Sequence, residues 1–406
     1  MIYIFIFILL VLLSYFYDYK RIERGKLVWL FVITLIFIML GGLHYRLGLD
    51  NPAYERFYRS LHHITKLTYS DIEESRFAPG FVVFAALTKL VSPDLILLNF
   101  IQSTFVCTVV TWFFNKNTRN PFFALTLFFA FMFTLLIFEQ IREAISVGFF
   151  LLAWPSFVKR KWWLWYLWSF CAIGFHTSAT MMFVLPLIVL PGVKQIFIYG
   201  KRTLFLCLGV FVLGFVIQAA FIRYIEMISV TDTLQETVSR YEGTSFVKGN
   251  LNLMGMMTQI FKNILYPFLA LFCVCSFKRN NAISPNLKNV EHFVILSLYV
   301  SLFSISVPII SRFNNYFFFF SILIMSDWVF SYIRLQNKKI RIRFVTWALL
   351  FLPLFTVQIY TSYMGNINKS GSFKAYLPYY PYTSYLDYKK DENREKLYKV
   401  MRRRGL

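Results

Sequence analysis

The sequence predicts an all-α polytopic integral membrane protein, on three observations. Apolar stretches close to the ~20 residues that cross a bilayer core recur along nearly the whole chain. The composition is 58% hydrophobic and 15% charged, whereas an ordinary soluble chain is ~45–50% apolar and ~25% charged. The Lys and Arg residues behind the net charge of +22 sit largely in short clusters between apolar stretches. That is the positive-inside pattern of a membrane protein, not the continuous basic face of a nucleic-acid binder. One polytopic domain is expected over 1–361, followed by an aromatic and basic tail, 362–406.

The elements follow in order. Met1–Tyr17 lacks a basic stretch before its apolar run and a small-residue cleavage site, and Lys20, Arg21 and Arg24 follow it. It reads as an uncleaved first helix, 2–17, with its N-terminus outside. Further spans are expected over 27–43, 94–114, 121–138, 143–158, 162–175, 177–191, 203–221, 254–277, 291–311, 313–333 and 344–361. This gives about twelve spans with both termini outside. Pro79–Val91, at 13 residues, is too short for a comfortable span and reads as an interfacial or re-entrant helix. Trp162–Leu190 is too long for one span and holds Gly174-Phe175-His176-Thr177-Ser178 at its midpoint. Two short helices breaking near His176 are expected there, a break tolerated only where protein or a water-filled cavity lines it. Outer loops 44–92 and 223–252 are expected to cap a cavity.

Charge supports this arrangement. Six loops assigned to the cytoplasm hold twenty Lys and Arg residues, against eleven in the much longer outside segments before the tail. The tail itself carries ten after Thr361 and is outside by helix count. Long segments follow the charge rule poorly, because they translocate largely regardless of charge. The five cysteines all lie in apolar stretches without metal-ligand spacing, so they read as small core residues.

Function must sit in the polar residues that lipid makes costly. Gly41-Gly-Leu-His-Tyr-Arg-Leu-Gly-Leu-Asp begins one group, in which Arg46, Asp50 and Tyr54 are four apart and would share a helix face. Gly48, Asn51 and Pro52 argue that this stretch starts as a turn. Glu139, Arg142, Glu143 and Ser146 form one stripe of a helix entering the membrane. His176 lies at the expected helix break, and histidine is the commonest general base. Arg312 lies between two long apolar spans, on the outer side. Arg46, Arg142 and Arg312 thus meet the outer mouth, and arginine forks match phosphate oxygens. No Asp-x-Asp pair stands in an outer loop, so neither a divalent metal nor another cofactor is expected.

These residues resemble a family. Gly42-Leu-His-Tyr-Arg-Leu-Gly-Leu-Asp with Tyr54 four residues on, Pro79-Gly-Phe, Ile141-Arg-Glu-Ala-Ile-Ser, Phe175-His-Thr-Ser-Ala and a late Tyr-Pro-Tyr resemble the EpsG family in order and spacing. The family usually has Arg where His44 stands, and Glu where Ala78 precedes Pro-Gly; Arg46 is placed to take over for the first. The resemblance implies a Wzy-like polymerase of exopolysaccharide or capsule in the bacterial inner membrane. Its substrate would be an undecaprenyl-diphosphate-linked oligosaccharide, with membrane lipid, a chain-length regulator and a flippase as partners, and no nucleic acid. Under this reading His176 and Asp50 are the catalytic candidates, with His176 favoured as base. Arg46, Arg142, Arg312, Tyr54, Glu139, Glu143 and Tyr382 would bind diphosphate and sugar. A ligase of finished glycan, a lipid-linked-sugar transporter and a sugar acyltransferase are the rival classes. A transporter would show internal repeats and paired broken helices, and the sequence shows one break and no repeat.

Overall fold

Long apolar runs punctuated by proline at helix starts build this protein. The computed structural model describes residues 2–200, 202–227, 253–279, 287–333, 379–387 and 392–403. Among them the chain is helical, apart from one isolated antiparallel bridge between His44 and Ser384. It divides into two units, Met1–Phe183 with Val329–Leu406, and Val184–Trp328.

In the first unit α1 (Ile2–Leu13) runs on as a π-helix, Ser14–Tyr19. It is followed by α2 (Lys26–Gly42), α3 (Asn51–Ser60), α4 (Tyr69–Glu73), α5 (Pro79–Val91) and α6 (Ile96–Asn117). Then come α7 (Pro121–Phe131), a second π-helix (Thr134–Glu139), α8 (Ile141–Val158) and α9 (Trp162–Phe175). Pro52, Pro79 and Pro121 stand in the first turns of α3, α5 and α7, where a missing N–H costs nothing. The core is aromatic: Phe37 stacks on Phe129 with centroids 5.4 Å apart, and buried Trp165 donates its indole N–H to the Met182 carbonyl at 2.8 Å.

The bonds at its two ends fix how the helices alternate. At one end Asp18 accepts from the Phe123 N–H at 2.6 Å, a carboxylate set on the first turn of α7. Arg21 beside it donates to Asn120 Oδ1 at 2.9 Å and to the Arg119 carbonyl. At the other end Tyr3 donates to the Tyr379 carbonyl at 2.8 Å, and Thr383–Tyr385 lies alongside Leu43–Tyr45. There α15 (Glu392–Arg403) packs on α3. The tail therefore shares an end with the turn after α2 and with α3.

The second unit contains a 3-10 helix (Leu185–Val189), α10 (Pro191–Lys194), α11 (Thr203–Met227), α12 (Leu253–Arg279), α13 (Leu287–Phe303) and most of α14 (Asn314–Ile333), whose end from Val329 belongs to the first unit. Glu291 anchors it, accepting from the Tyr199 N–H at 2.6 Å and pairing with Lys278. Between α13 and α14 the chain makes a 3-10 turn, Pro308–Phe313.

Among the described residues four helices are long and apolar enough to cross a membrane: Ile2–Tyr19, Ile96–Asn117, Ile141–Val158 and Ile310–Ile333. A further pair, Thr177–Val189 with Pro191–Phe197, is bent by 97°. Expected spans 27–43, 121–138, 203–221, 254–277 and 291–311 fall on shorter apolar helices and 162–175 on the 14-residue α9, so the count of twelve is not reached by length among the described residues. The physical reasons differ by segment. The expected 121–138 span is interrupted at Met132, after which the chain is π-helical. The chain after His176 is 3-10 rather than α-helical, rising ~2.0 Å per residue against ~1.5 Å, so fewer residues cover a given depth. The expected span 344–361, the stretch 228–252 of the second outer loop and 362–378 of the tail lie outside the described residues.

Candidate functional site

The site is built on the turn that leaves α2. Arg46 has φ 50° and Gly48 φ 93°, so the chain reverses before α3, which starts only at Asn51. A Cβ on Gly48 would sit 2.5 Å from the Phe138 carbonyl oxygen, so this glycine is required by both conformation and space. The close approach lets the Leu49 N–H donate to Glu139 at 3.2 Å. Arg46, Asp50 and Tyr54 therefore do not share a helix face: Arg46 lies in the turn, Asp50 is the N-cap residue and Tyr54 is in the first turn of α3.

Glu139 is likewise not on the helix of Arg142. It ends the π-helix, and Gln140 breaks the chain before α8 begins at Ile141. Glu139 instead takes a hydrogen bond from Tyr379 of the tail. Burial, then Glu139 and Asp50, push the Tyr379 hydroxyl well above its ordinary value, keeping it a neutral donor.

Arg142 is the centre of the cluster. Its Nε donates to the Tyr54 hydroxyl at 3.3 Å, and its guanidinium carbon lies 4.3 Å from the Phe77 ring centroid. Tyr54 is 3% exposed and stacks on Phe77, 5.8 Å between centroids. Burial raises the Tyr54 hydroxyl, with Arg142 pulling it down and Asp50 pushing it up, so both charges lie close to it. Among the described residues Arg142 makes no ion pair. Glu143 beside it is 2% exposed.

Arg46 is held differently. Its guanidinium bonds Glu55 at 3.0 Å and Glu395 of α15, and lies 4.0 Å from the Tyr398 ring centroid. Tyr45 donates to Glu395 and Tyr398 to Glu55. The sequence reading grouped Arg46 with Arg142 as phosphate ligands, whereas the structure gives Arg46 two carboxylates from separate segments.

His176 ends α9 in extended conformation and is buried. Its N–H and the Ser146 hydroxyl both donate to the Ala172 carbonyl, at 3.1 and 2.8 Å, so it adjoins the first turns of α8. Its Nδ1 accepts from the Ser178 N–H at 3.2 Å. The Ser178 hydroxyl lies 2.6 Å from the same nitrogen, and with both Ser178 groups donating to Nδ1 the neutral ring carries its proton on Nε2. Gly80 and Gly174 bring α5 onto α9 here: a Cβ on Gly80 would lie 2.6 Å from the Gly174 carbonyl oxygen.

The structure thus brings together Asp50, Tyr54, Glu139 and Arg142, with Glu143 and His176 on adjoining turns. Tyr382 is elsewhere, donating to the Leu40 carbonyl at 3.0 Å and stapling the tail to α2. Arg312 lies half-buried in the second unit, on the 3-10 turn Pro308–Phe313. His44 is fully buried at the bridge to Ser384, its ring 4.9 Å from Phe138. Burial lowers its pKa to about 4, opposed by the bond to the Gly41 carbonyl. Sequence reasoning missed Phe77, Tyr379 and the Glu55–Glu395–Tyr398 bracket. Phe77 stands two residues before Pro79-Gly80, and Tyr379 begins a Tyr-Tyr-Pro-Tyr run; the bracket joins positions about 340 apart and has no local signal. Among the described residues no group of three or more His, Cys, Asp or Glu could hold a metal ion.

These features define a helical membrane protein with an arginine-centred polar cluster at one end of its bundle. The EpsG family profile matches residues 26–384, most of the chain. The chain belongs to that family, which comprises polysaccharide polymerases. No curated protein and no solved structure matches it.

Proposed function

We propose that the chain polymerises undecaprenyl-diphosphate-linked oligosaccharide repeat units into a surface polysaccharide at the outer face of the bacterial cytoplasmic membrane. The observation that carries this reading is Arg142: a guanidinium seated on Phe77 and Tyr54 without a carboxylate among the described residues. Such a group meets a diphosphate with its charge uncancelled, and stabilising charge where it develops is usually the largest catalytic contribution.

In this reading a base takes the proton of an acceptor hydroxyl. The hydroxyl oxygen bonds the anomeric carbon of the donor, the bond from that carbon to the diphosphate breaks, and undecaprenyl diphosphate leaves with the electron pair. Arg142 stabilises the leaving diphosphate. Asp50 is the better base of the two candidates, because it is solvent-exposed at the N-cap of α3 and close enough to Tyr54 to act on its hydroxyl. His176, with its proton directed to Nε2 by the Ser178 N–H, is better suited to donate a hydrogen bond to substrate. Glu139 and Glu143 frame the site, and Tyr54 orients Arg142. Arg46 holds the tail over it.

The test is deletion of the gene followed by sizing of surface glycan on a gel. Loss of long chains with one repeat unit retained is the polymerase outcome. A lipid-linked-sugar transporter is the second reading, and the feature it draws on is the one bent helix pair among the described residues, Thr177–Val189 with Pro191–Phe197. Loss of all surface glycan, with lipid-linked chains still made, would shift the assignment to a transporter or ligase.

A further inference from the structure

An open cleft of about 580 Å³ lies between α3 and the chain leading into α5, within the first unit. Its volume is in the ordinary range of small-ligand sites, ~300–1,000 Å³. Arg56 and Phe57 line it from α3; Asp71, Glu74, Arg76 and Phe77 line it from the other side. Two guanidiniums face two carboxylates, so the cleft is not built for a net anion or cation. Alternating fixed donors and acceptors beside aromatic edges suit a neutral polyhydroxylated ring. Carboxylates accept from vicinal hydroxyls, guanidiniums donate to ring and hydroxyl oxygens, and the half-buried Phe57 ring offers apolar surface to C–H groups.

Three details make the cleft more than a charged surface. Asp71 is locked in place, its carboxylate taking the Thr68 N–H and hydroxyl, both at 2.8 Å, and facing His62. The side chains of Arg56 and Glu74 make no hydrogen bond or ion pair among the described residues, and both residues are exposed, so their polar ends are uncommitted. The wall is shared with the candidate site: Arg76 lies 4.9 Å from the centroid of Phe77, and Arg142 lies 4.3 Å from the same centroid. The buried Phe77 ring is thus the element common to the cleft and to the Arg142 cluster.

We propose that this cleft is a glycan subsite, binding a neutral saccharide unit of the polymer next to the bond being made. It deepens the polymerase reading and rests on it for its role, although saccharide binding can be measured separately. The probe is the free repeat-unit oligosaccharide, released from the strain's own polysaccharide and titrated into the full-length protein in lipid nanodiscs, with binding followed by saturation-transfer NMR. The wild type should bind it. The double variant Arg56→Gln with Glu74→Gln should weaken binding by about tenfold or more. Ala53→Trp, which fills the cleft from α3, should abolish it. Arg142→Ala should still bind while losing polymer synthesis. Unchanged binding in correctly folded cleft variants, or no binding by the wild type, overturns the subsite. Should the deletion strain keep its long chains while the oligosaccharide still binds in the cleft, the polymerase reading fails and the saccharide site stands.

Discussion

Arg46 and Arg142 are the same side chain in two surroundings at one end of the first unit. Arg46, 13% exposed, is held by Glu55 and Glu395 and capped by the Tyr398 ring. Arg142 rests on Phe77 and bonds the neutral hydroxyl of Tyr54. In the first case two carboxylates cancel the charge, and the group spends its donors joining α15 to α3. In the second, a ring face and a phenol orient the guanidinium but leave its charge intact. An arginine's role is therefore set by what already occupies its donors, not by its being an arginine near a membrane surface. Held charge fastens structure, whereas oriented and uncancelled charge is available to a substrate.

The contrast can be broken most severely at Arg142. Arg142→Lys keeps the charge but loses the fork, and should cut polymerisation by ~10²–10³, equivalent to ~2–4 kcal/mol of transition-state stabilisation. Its thermal midpoint should match that of the wild type. Near-normal polymer from well-expressed Arg142→Lys and Arg142→Ala would put Arg142 in the same structural class as Arg46.

The roles of the neighbouring proton carriers sharpen the comparison next. Asp50→Asn should abolish the rate of purified protein, and His176→Gln should retain a measurable fraction because an amide can still donate. The reverse ranking at equal expression would exchange base and donor.

Arg46→Gln should behave in the opposite way to Arg142→Lys. It leaves Glu55 to Arg59 and Tyr398 and Glu395 to Tyr45 alone, and should cost ~1.5–3 kcal/mol, the range for hydrogen bonds to charged groups. Limited proteolysis should then cleave the C-terminal segment sooner. A tail as resistant as in the wild type would show that the bracket does not hold it.

A smaller effect separates two glycines of one crossing. Gly80→Ala pushes a methyl into the Gly174 backbone and should lower stability by ~1–3 kcal/mol. Gly174→Ala meets nothing closer than the Gly80 Cα at 3.9 Å and should be tolerated. Equal midpoints for the two variants would mean that α5 and α9 shift apart freely.

A further effect appears only on acidification. His44 has its folded pKa lowered to about 4 from an ordinary 6.5. Its unfolded form therefore takes up a proton first as pH falls. Stability from the neutral ring is complete above pH 6.5 and is lost progressively towards pH 4. The thermal midpoint should decline over that window, and His44→Gln should flatten the decline. An unchanged slope in that variant would assign the acid sensitivity to other groups.

The sequence by itself determined the membrane class, because apolar length and the placement of charge are local properties written along the chain. It also placed the helix break at His176, where Gly174 and a short polar run interrupt an apolar stretch. It singled out Arg142, Asp50 and Tyr54, which stand out against their neighbours and which the structure brings together. Tertiary structure alone decided how those residues divide into roles. The turn at Arg46 and Gly48 separates Arg46 from the face of α3. The π-helical ending at Glu139 removes Glu139 from the helix of Arg142. The tail returns across the chain to supply Tyr379 beside Glu139 and Glu395 on Arg46. Helical periodicity reports only neighbours three or four residues apart. Arg46 is cancelled by Glu55, nine residues on across the turn, and by Glu395, brought in by packing from 349 residues away.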